Sequence, residues 1–125
     1  MYNLKVCLVD DEKEFVSTLG ERLELRGFEV QIASDGEEAL QLIENDPPQV
    51  VVLDVLMPGL GGLEVLKRIK SSKPEIAVIL LTGQGSTKEG IEGTRLGAFD
   101  YLMKPVKIED LITKMQKAIQ NPDKT

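Results

Sequence analysis

The sequence predicts one doubly wound α/β domain: a parallel five-stranded sheet with helices on both faces. Three observations carry that prediction. Short apolar runs at 4–9, 28–33, 50–54, 76–81 and 99–103 alternate with segments of helical periodicity, the signature of successive βαβ units. The runs at 50–53 and 76–81 are apolar throughout and 4–9 nearly so, as in parallel strands covered on both faces. Phe28-Glu29-Val30-Gln31-Ile32 instead alternates, which marks a half-exposed edge. Of the two common doubly wound orders, 2-1-3-4-5 puts the second and fifth strands outside, whereas 3-2-1-4-5 would expose the fully apolar third strand. The order 2-1-3-4-5 is therefore expected, a (βα)5 flavodoxin-like arrangement.

Each element has its own signals. The first helix carries Phe15, Leu19 and Leu23 on one face and stops at Gly27. The second opens with Ser34-Asp35-Gly36-Glu37, a capping-box pattern, continues through Ala39, Leu40, Leu42 and Ile43, and ends at Pro47-Pro48. The third holds Leu63, Leu66 and Ile69 and ends before Pro74. In the fourth, Ser86 and Glu89 are the expected caps and Ile91 and Leu96 the apolar anchors, but Gly90 and Gly93 lie inside it. Each glycine costs about 1 kcal/mol relative to alanine in a helix interior, so this helix should be the most loosely held. The fifth is the clearest, with Ile108, Leu111, Ile112, Met115, Ala118 and Ile119 at the 3.6-residue period.

A chain of 125 residues, 42 % hydrophobic and 29 % charged, fits one domain with one core. Residues 1–125 are read as that domain, with its core at 3–120 and a polar tail, or the start of a linker, at 121–125. Apolar stretches fall far short of the roughly 20 residues needed to span a bilayer. Met1-Tyr2-Asn3 leads straight into the first strand, which leaves no room for a signal peptide. The one cysteine, Cys7, excludes an internal disulfide and fits a reducing cytoplasm; it reads as a small buried hydrophobe. A net charge of −6 without a basic run argues against direct nucleic-acid binding. The absence of histidine removes the usual zinc ligands and the Ser-His and Cys-His nucleophile pairs.

The functional signal lies at the strand ends. The first run ends at Asp10-Asp11, the third at Asp54, the fourth at Thr82, and the fifth runs into Lys104-Pro105. In an open parallel sheet these ends share one edge, and ligands bind in the crevice outside it. The first and third strands are expected to be neighbours, about 4.8 Å apart, so Asp10, Asp11 and Asp54 should meet. Packed carboxylates repel one another, and burial would raise their pKa values. A hard divalent cation relieves both, and Mg²⁺ suits a water-rich oxygen site shared with phosphate. With Lys104 as a second positive charge and Thr82 as a neutral donor, the set describes phosphoryl transfer, where positioning and charge neutralisation dominate. A carboxylate can itself be the nucleophile.

The set Asp10-Asp11, Asp54, Met57-Pro58-Gly59, Thr82-Gly83, Tyr101 and Lys104-Pro105 resembles the receiver domain of two-component response regulators, over essentially all of residues 3–120. The resemblance implies that Asp54 accepts a phosphoryl group from a histidine on a partner kinase or histidine phosphotransfer protein. It implies Mg²⁺ held by Asp11, Asp54 and the backbone carbonyl of Leu56, with Asp10 acting through a water. Lys104 and Thr82 would contact the phosphoryl oxygens, and Tyr101 would change position with Thr82. The Lys104-Pro105 bond is expected to be cis on the same ground. The output surface, for self-association as a homodimer or for partner docking, would be the fourth helix, fifth strand and fifth helix. The stretches Thr82-Gly83-Gln84-Gly85 and Gly97 to Pro105 look most like receivers attached to transcription-activating ATPases.

Two other functions compete. A metal-dependent phosphatase or phosphotransferase with an Asp nucleophile would, in the dehalogenase type, want an acid two residues on, but Asp54 is followed by Val55 and Leu56. A flavodoxin-like binding module would want a Ser-, Thr- or Gly-rich loop after the first strand. Asp10-Asp11-Glu12 fills that loop and would repel phosphate without a metal. Gly83-x-Gly85 lacks the third glycine of a dinucleotide fingerprint and follows the wrong strand.

Overall fold

In a computed structural model that describes residues 4–120, strands and helices alternate strictly. The strands are β1 (Lys5–Val9), β2 (Glu29–Ala33), β3 (Val50–Asp54), β4 (Ala77–Thr82) and β5 (Asp100–Met103). The helices are α1 (Lys13–Leu25), α2 (Gly36–Asn45), α3 (Gly62–Ser72), α4 (Thr87–Arg95) and α5 (Ile108–Gln120). All pairings are parallel, in the order β2-β1-β3-β4-β5, as the sequence predicts. The tail expected at 121–125 lies outside the described residues.

Alternation along the strands splits the core into two layers. Cys7, Val9, Val51, Leu53, Val78 and Leu80 face Ala39 and Ile43 of α2 and Val65, Leu66 and Ile69 of α3. Val6, Leu8, Val50, Val52, Ile79 and Leu81 face Val16, Leu19 and Leu23 of α1 and Leu111, Ile112 and Met115 of α5. Every residue of β3 is buried. Cys7 is fully buried, and that burial pushes its thiol up to about 12.

Two local expectations change. The capping residue of α2 is Asp35, whose side chain accepts from the Glu38 N–H at 2.8 Å, and Glu38 reaches back to the Ser34 N–H at 2.8 Å. The box thus sits one residue later than Ser34/Glu37, because Asp35 is the residue in extended backbone before the first turn. In α4, Ile91 is half exposed and anchors nothing, and Ser86 makes no side-chain cap. The buried residues of α4 are Gly90 and Gly93. A Cβ on Gly93 would fall 2.1 Å from Leu80 Cδ1, and one on Gly90 2.7 Å from Tyr101 Cγ. These glycines let the helix backbone lie directly on the sheet. Their propensity cost is offset by close approach.

Candidate functional site

The ends of β1, β3 and β5 deliver the charged groups. β1 stays tied to β2 through the Asp10 N–H, which donates to Ala33 O at 3.1 Å. Asp10 Oδ1 accepts from the Glu12 N–H at 2.9 Å, an Asx-type turn that bends the chain into α1 and brings Glu12 back over the sheet edge. Val9 pairs with Leu53 across β1 and β3, so the next residues, Asp10 and Asp54, stand side by side. Both are buried. One carboxylate oxygen from each of Asp10, Glu12 and Asp54 lies within 4.8 Å of the others.

Lys104 enters this group from the end of β5, where its N–H donates to Thr82 O at 2.7 Å. Its ammonium lies 2.8 Å from Asp10 Oδ2, 2.5 Å from Glu12 Oε1 and 3.5 Å from Asp54 Oδ2. It also sits 4.5 Å from the centre of the Phe15 ring, where the ring's quadrupole favours a cation. The Lys104–Pro105 bond is cis. Burial works to lower the Lys104 pKa, but the Asp10 and Glu12 carboxylates outweigh it and hold it above its usual value. Burial pushes the Asp54 carboxyl up to about 6, with the Asp10 charge adding to it. Lys104 and the Leu56 N–H, which donates to Asp54 Oδ1 at 3.3 Å, pull the other way. A further positive charge beside Asp54 would therefore favour its ionised form.

The remaining expected residues take distinct places. Thr82 is fully buried and its hydroxyl oxygen finds no hydrogen-bond partner among the described residues. Tyr101 is half-buried beneath α4. Leu56 is exposed at the rim. Asp11 is exposed and stands outside the three-carboxylate group. Gly59, at φ +75°, supplies the left-handed turn after β3.

Sequence reasoning missed three contributors. Glu12 and Phe15 both grip Lys104, and their sequence signal is only position, two and five residues beyond Asp10. Gly62 starts α3 against the end of β3: a Cβ there would sit 2.4 Å from Asp54 O and 2.7 Å from Val55 Cα. The Gly62 N–H donates to Val55 O at 3.2 Å.

Hard oxygen donors gathered around one buried, raised-pKa carboxyl fit a divalent cation of the Mg²⁺ kind. In this structure the Lys104 ammonium supplies the positive charge.

Comparison with known proteins converges on one family. The model describing the response regulator receiver domain matches residues 6–116. "Response regulator MprA" of Mycolicibacterium vanbaalenii is 38 % identical over 117 residues, covering 94 % of this chain and 51 % of its own length. The chain spans about half the length of the curated relatives it matches. Among solved structures, a response regulator receiver domain protein from Clostridium thermocellum superposes with a TM-score of 0.90 at 36 % identity, covering 95 % of this chain and 96 % of that one. The receiver domain of NtrX from Brucella abortus superposes with a TM-score of 0.88 at 32 % identity, covering 92 % and 98 %.

Proposed function

The chain belongs to the response regulator receiver family, and from that premise we propose that Asp54 is its phosphoacceptor and that a partner's phosphohistidine is the donor. Phospho-aspartate signalling, with self-catalysed transfer and hydrolysis, is the chemistry of this family membership. A carboxylate oxygen of Asp54 attacks phosphorus, the P–N bond breaks, and the imidazole leaves with the electron pair. The observation that carries this reading is the convergence of Asp10, Glu12 and Lys104 on Asp54, with the unpartnered Thr82 hydroxyl at the neighbouring strand end.

Lys104 holds the negative charge of Asp10, Glu12 and Asp54 together at rest and exchanges Glu12 for a phosphoryl oxygen when that group arrives. The Thr82 hydroxyl donates to a second phosphoryl oxygen. Asp10, Glu12 and Asp54 form the clustered donor set for Mg²⁺; the family resemblance implies Asp11, Asp54 and the Leu56 carbonyl, with Asp10 acting through a water. When bound, the ion neutralises charge on the phosphoryl oxygens. Ile91 on α4 and Met103 on β5 are exposed apolar residues, which supports output through the α4, β5 and α5 surface, as homodimer contact or docking site. No described helix is long and apolar enough to cross a membrane, and we place the chain in the cytoplasm.

The direct test is acetyl phosphate with Mg²⁺, read by intact mass. One phosphoryl group should add per chain and none to Asp54→Asn. An unchanged adduct in that variant removes Asp54 from the role. Mg²⁺ titration of Asp11→Ala and Glu12→Gln separates the two ligand sets, since only the true ligand's loss should weaken binding about tenfold or more.

A further inference from the structure

Glu12 is fixed through its backbone and exchangeable in its side chain. Its N–H donates to Asp10 Oδ1 at 2.9 Å, and its carbonyl accepts from the Val16 N–H at 3.0 Å. It is the N-cap residue of α1, yet its side chain makes no capping bond. The carboxylate meets Lys104 instead, at 2.5 Å, on a side chain that is 64 % exposed. Asp10, which meets the same ammonium at 2.8 Å, is only 2 % exposed. Lys104 therefore has one buried anchor and one at the solvent rim. The Asp54 side chain is 9 % exposed, and one of its oxygens lies within 4.8 Å of an oxygen of Glu12. Glu12 thus stands on the solvent side of Asp54. The fully buried Thr82 hydroxyl, unpartnered among the described residues, lies on the inner side. In an in-line displacement the attacking and leaving atoms flank phosphorus. A donor attacked by Asp54 must put its leaving group out toward the rim.

We propose that Glu12 is a specificity residue, favouring phosphoryl donors with a protonated nitrogen leaving group over acyl phosphates. This rests on Asp54 being the phosphoacceptor. When Lys104 turns to a phosphoryl oxygen it keeps Asp10 and releases Glu12, whose carboxylate then accepts from the donor's N–H. An Asp54 oxygen attacks phosphorus, the P–N bond breaks, and the protonated nitrogen leaves as a neutral base with the electron pair. Its positive charge fades only as that bond breaks, so Glu12 stabilises the bound donor and the transition state together and acts through KM. The hydrogen bond is charge-assisted, the strong kind. With an acyl phosphate the same attack expels a carboxylate, and its growing negative charge faces that of Glu12.

The experiment compares phosphoramidate, whose nitrogen is protonated at neutral pH, with acetyl phosphate, both at saturating Mg²⁺. Phosphorylation is followed by intact mass, and kcat/KM is taken for each donor. The chains are the unaltered protein, Glu12→Gln, and Glu21→Gln, which removes an exposed charge farther along α1. The phosphoramidate-to-acetyl phosphate ratio should fall about fivefold or more in Glu12→Gln, mostly through the KM for phosphoramidate. It should stay within about twofold in Glu21→Gln. Freeing Lys104 speeds both donors alike and cancels in the ratio. Salt raised to about 0.5 M should lower the ratio in the unaltered chain, because rim charges are screened, and a ratio indifferent to salt overturns the proposal. So does a ratio unchanged in Glu12→Gln, including the case where both rates fall together because Glu12 holds the ion. An Asp54→Asn chain that still gains the phosphoryl group from both donors would instead remove the phosphoacceptor reading.

Discussion

The helices α5 and α4 are held to the sheet by different means. Against one face, α5 buries Ile108, Leu111, Ile112 and Met115, and α1 buries Val16, Leu19 and Leu23. On the other face, where α2 and α3 bury Ala39, Ile43, Val65, Leu66 and Ile69, α4 buries only Gly90 and Gly93 and leaves Ile91 half exposed. The functional groups divide along the same line. By strand parity Asp10 and Asp54 continue the rows of Leu8 and Val52 on the α1/α5 side, whereas Thr82 continues the row of Val78 and Leu80 on the α4 side. The charged groups therefore lie on the side of the firmly packed α1 and α5, whereas the hydroxyl faces the lightly anchored α4. A chemical event at the first can move the second without unfolding either.

The sharpest test of this asymmetry compares two aliphatic truncations. Leu111→Ala should cost about 2–5 kcal/mol, because it leaves a cavity in a fully buried site. Ile91→Ala should cost less than about 0.5 kcal/mol. Urea denaturation of both decides it, and equal losses would erase the distinction.

The next effect is electrostatic. The Asp54 pKa is raised in the folded state to about 6, so the fold favours the protonated carboxyl more than the unfolded chain does. The stability it confers is complete below the ordinary carboxylate range and is lost as pH rises through about 6. Without divalent cation, stability should fall by about 1–2 kcal/mol between pH ~4 and ~7, after allowance for solvent screening at the sheet edge. Asp54→Asn should remove this slope and be the more stable protein at neutral pH. A pH profile unchanged by that substitution would contradict the assigned environment.

A smaller effect probes the α4 contact itself. Gly90→Ala gains helix propensity but drives a methyl against the Tyr101 ring and the Thr82 methyl, for a net loss of about 1 kcal/mol. In a Tyr101→Ala background the same change should stabilise the protein. Additive effects in that double-mutant cycle would show that Gly90 and Tyr101 are not coupled. On phosphorylation, hydrogen exchange should change most across residues 83–104. Changes confined to 12–45 would place the output elsewhere.

Strand order was legible because burial on both faces leaves a compositional trace: Val50 to Leu53 is uninterrupted and Phe28 to Ile32 is not. The meeting of Asp10, Asp54 and Lys104 followed from that order, since topology alone puts strand ends together. What the sequence hid depends on how helices dock. Ile91 has the spacing of an anchor but points outward, and Gly90 and Gly93 read as defects until the sheet beneath them is seen. Glu12 and Phe15 were invisible for a related reason: their roles are set by where the Lys104 side chain crosses back over α1, about ninety residues away in sequence.

The buried thiol in β1 has a practical consequence. Cys7 is the chain's one cysteine, it is fully buried, and at neutral pH almost none of it is thiolate. Thiol-reactive dyes and spin labels should pass over the native protein. A cysteine introduced at the exposed Ile91 or Met103 would then be the single point of attachment, and motion of α4 against β5 could be followed in the otherwise unaltered chain.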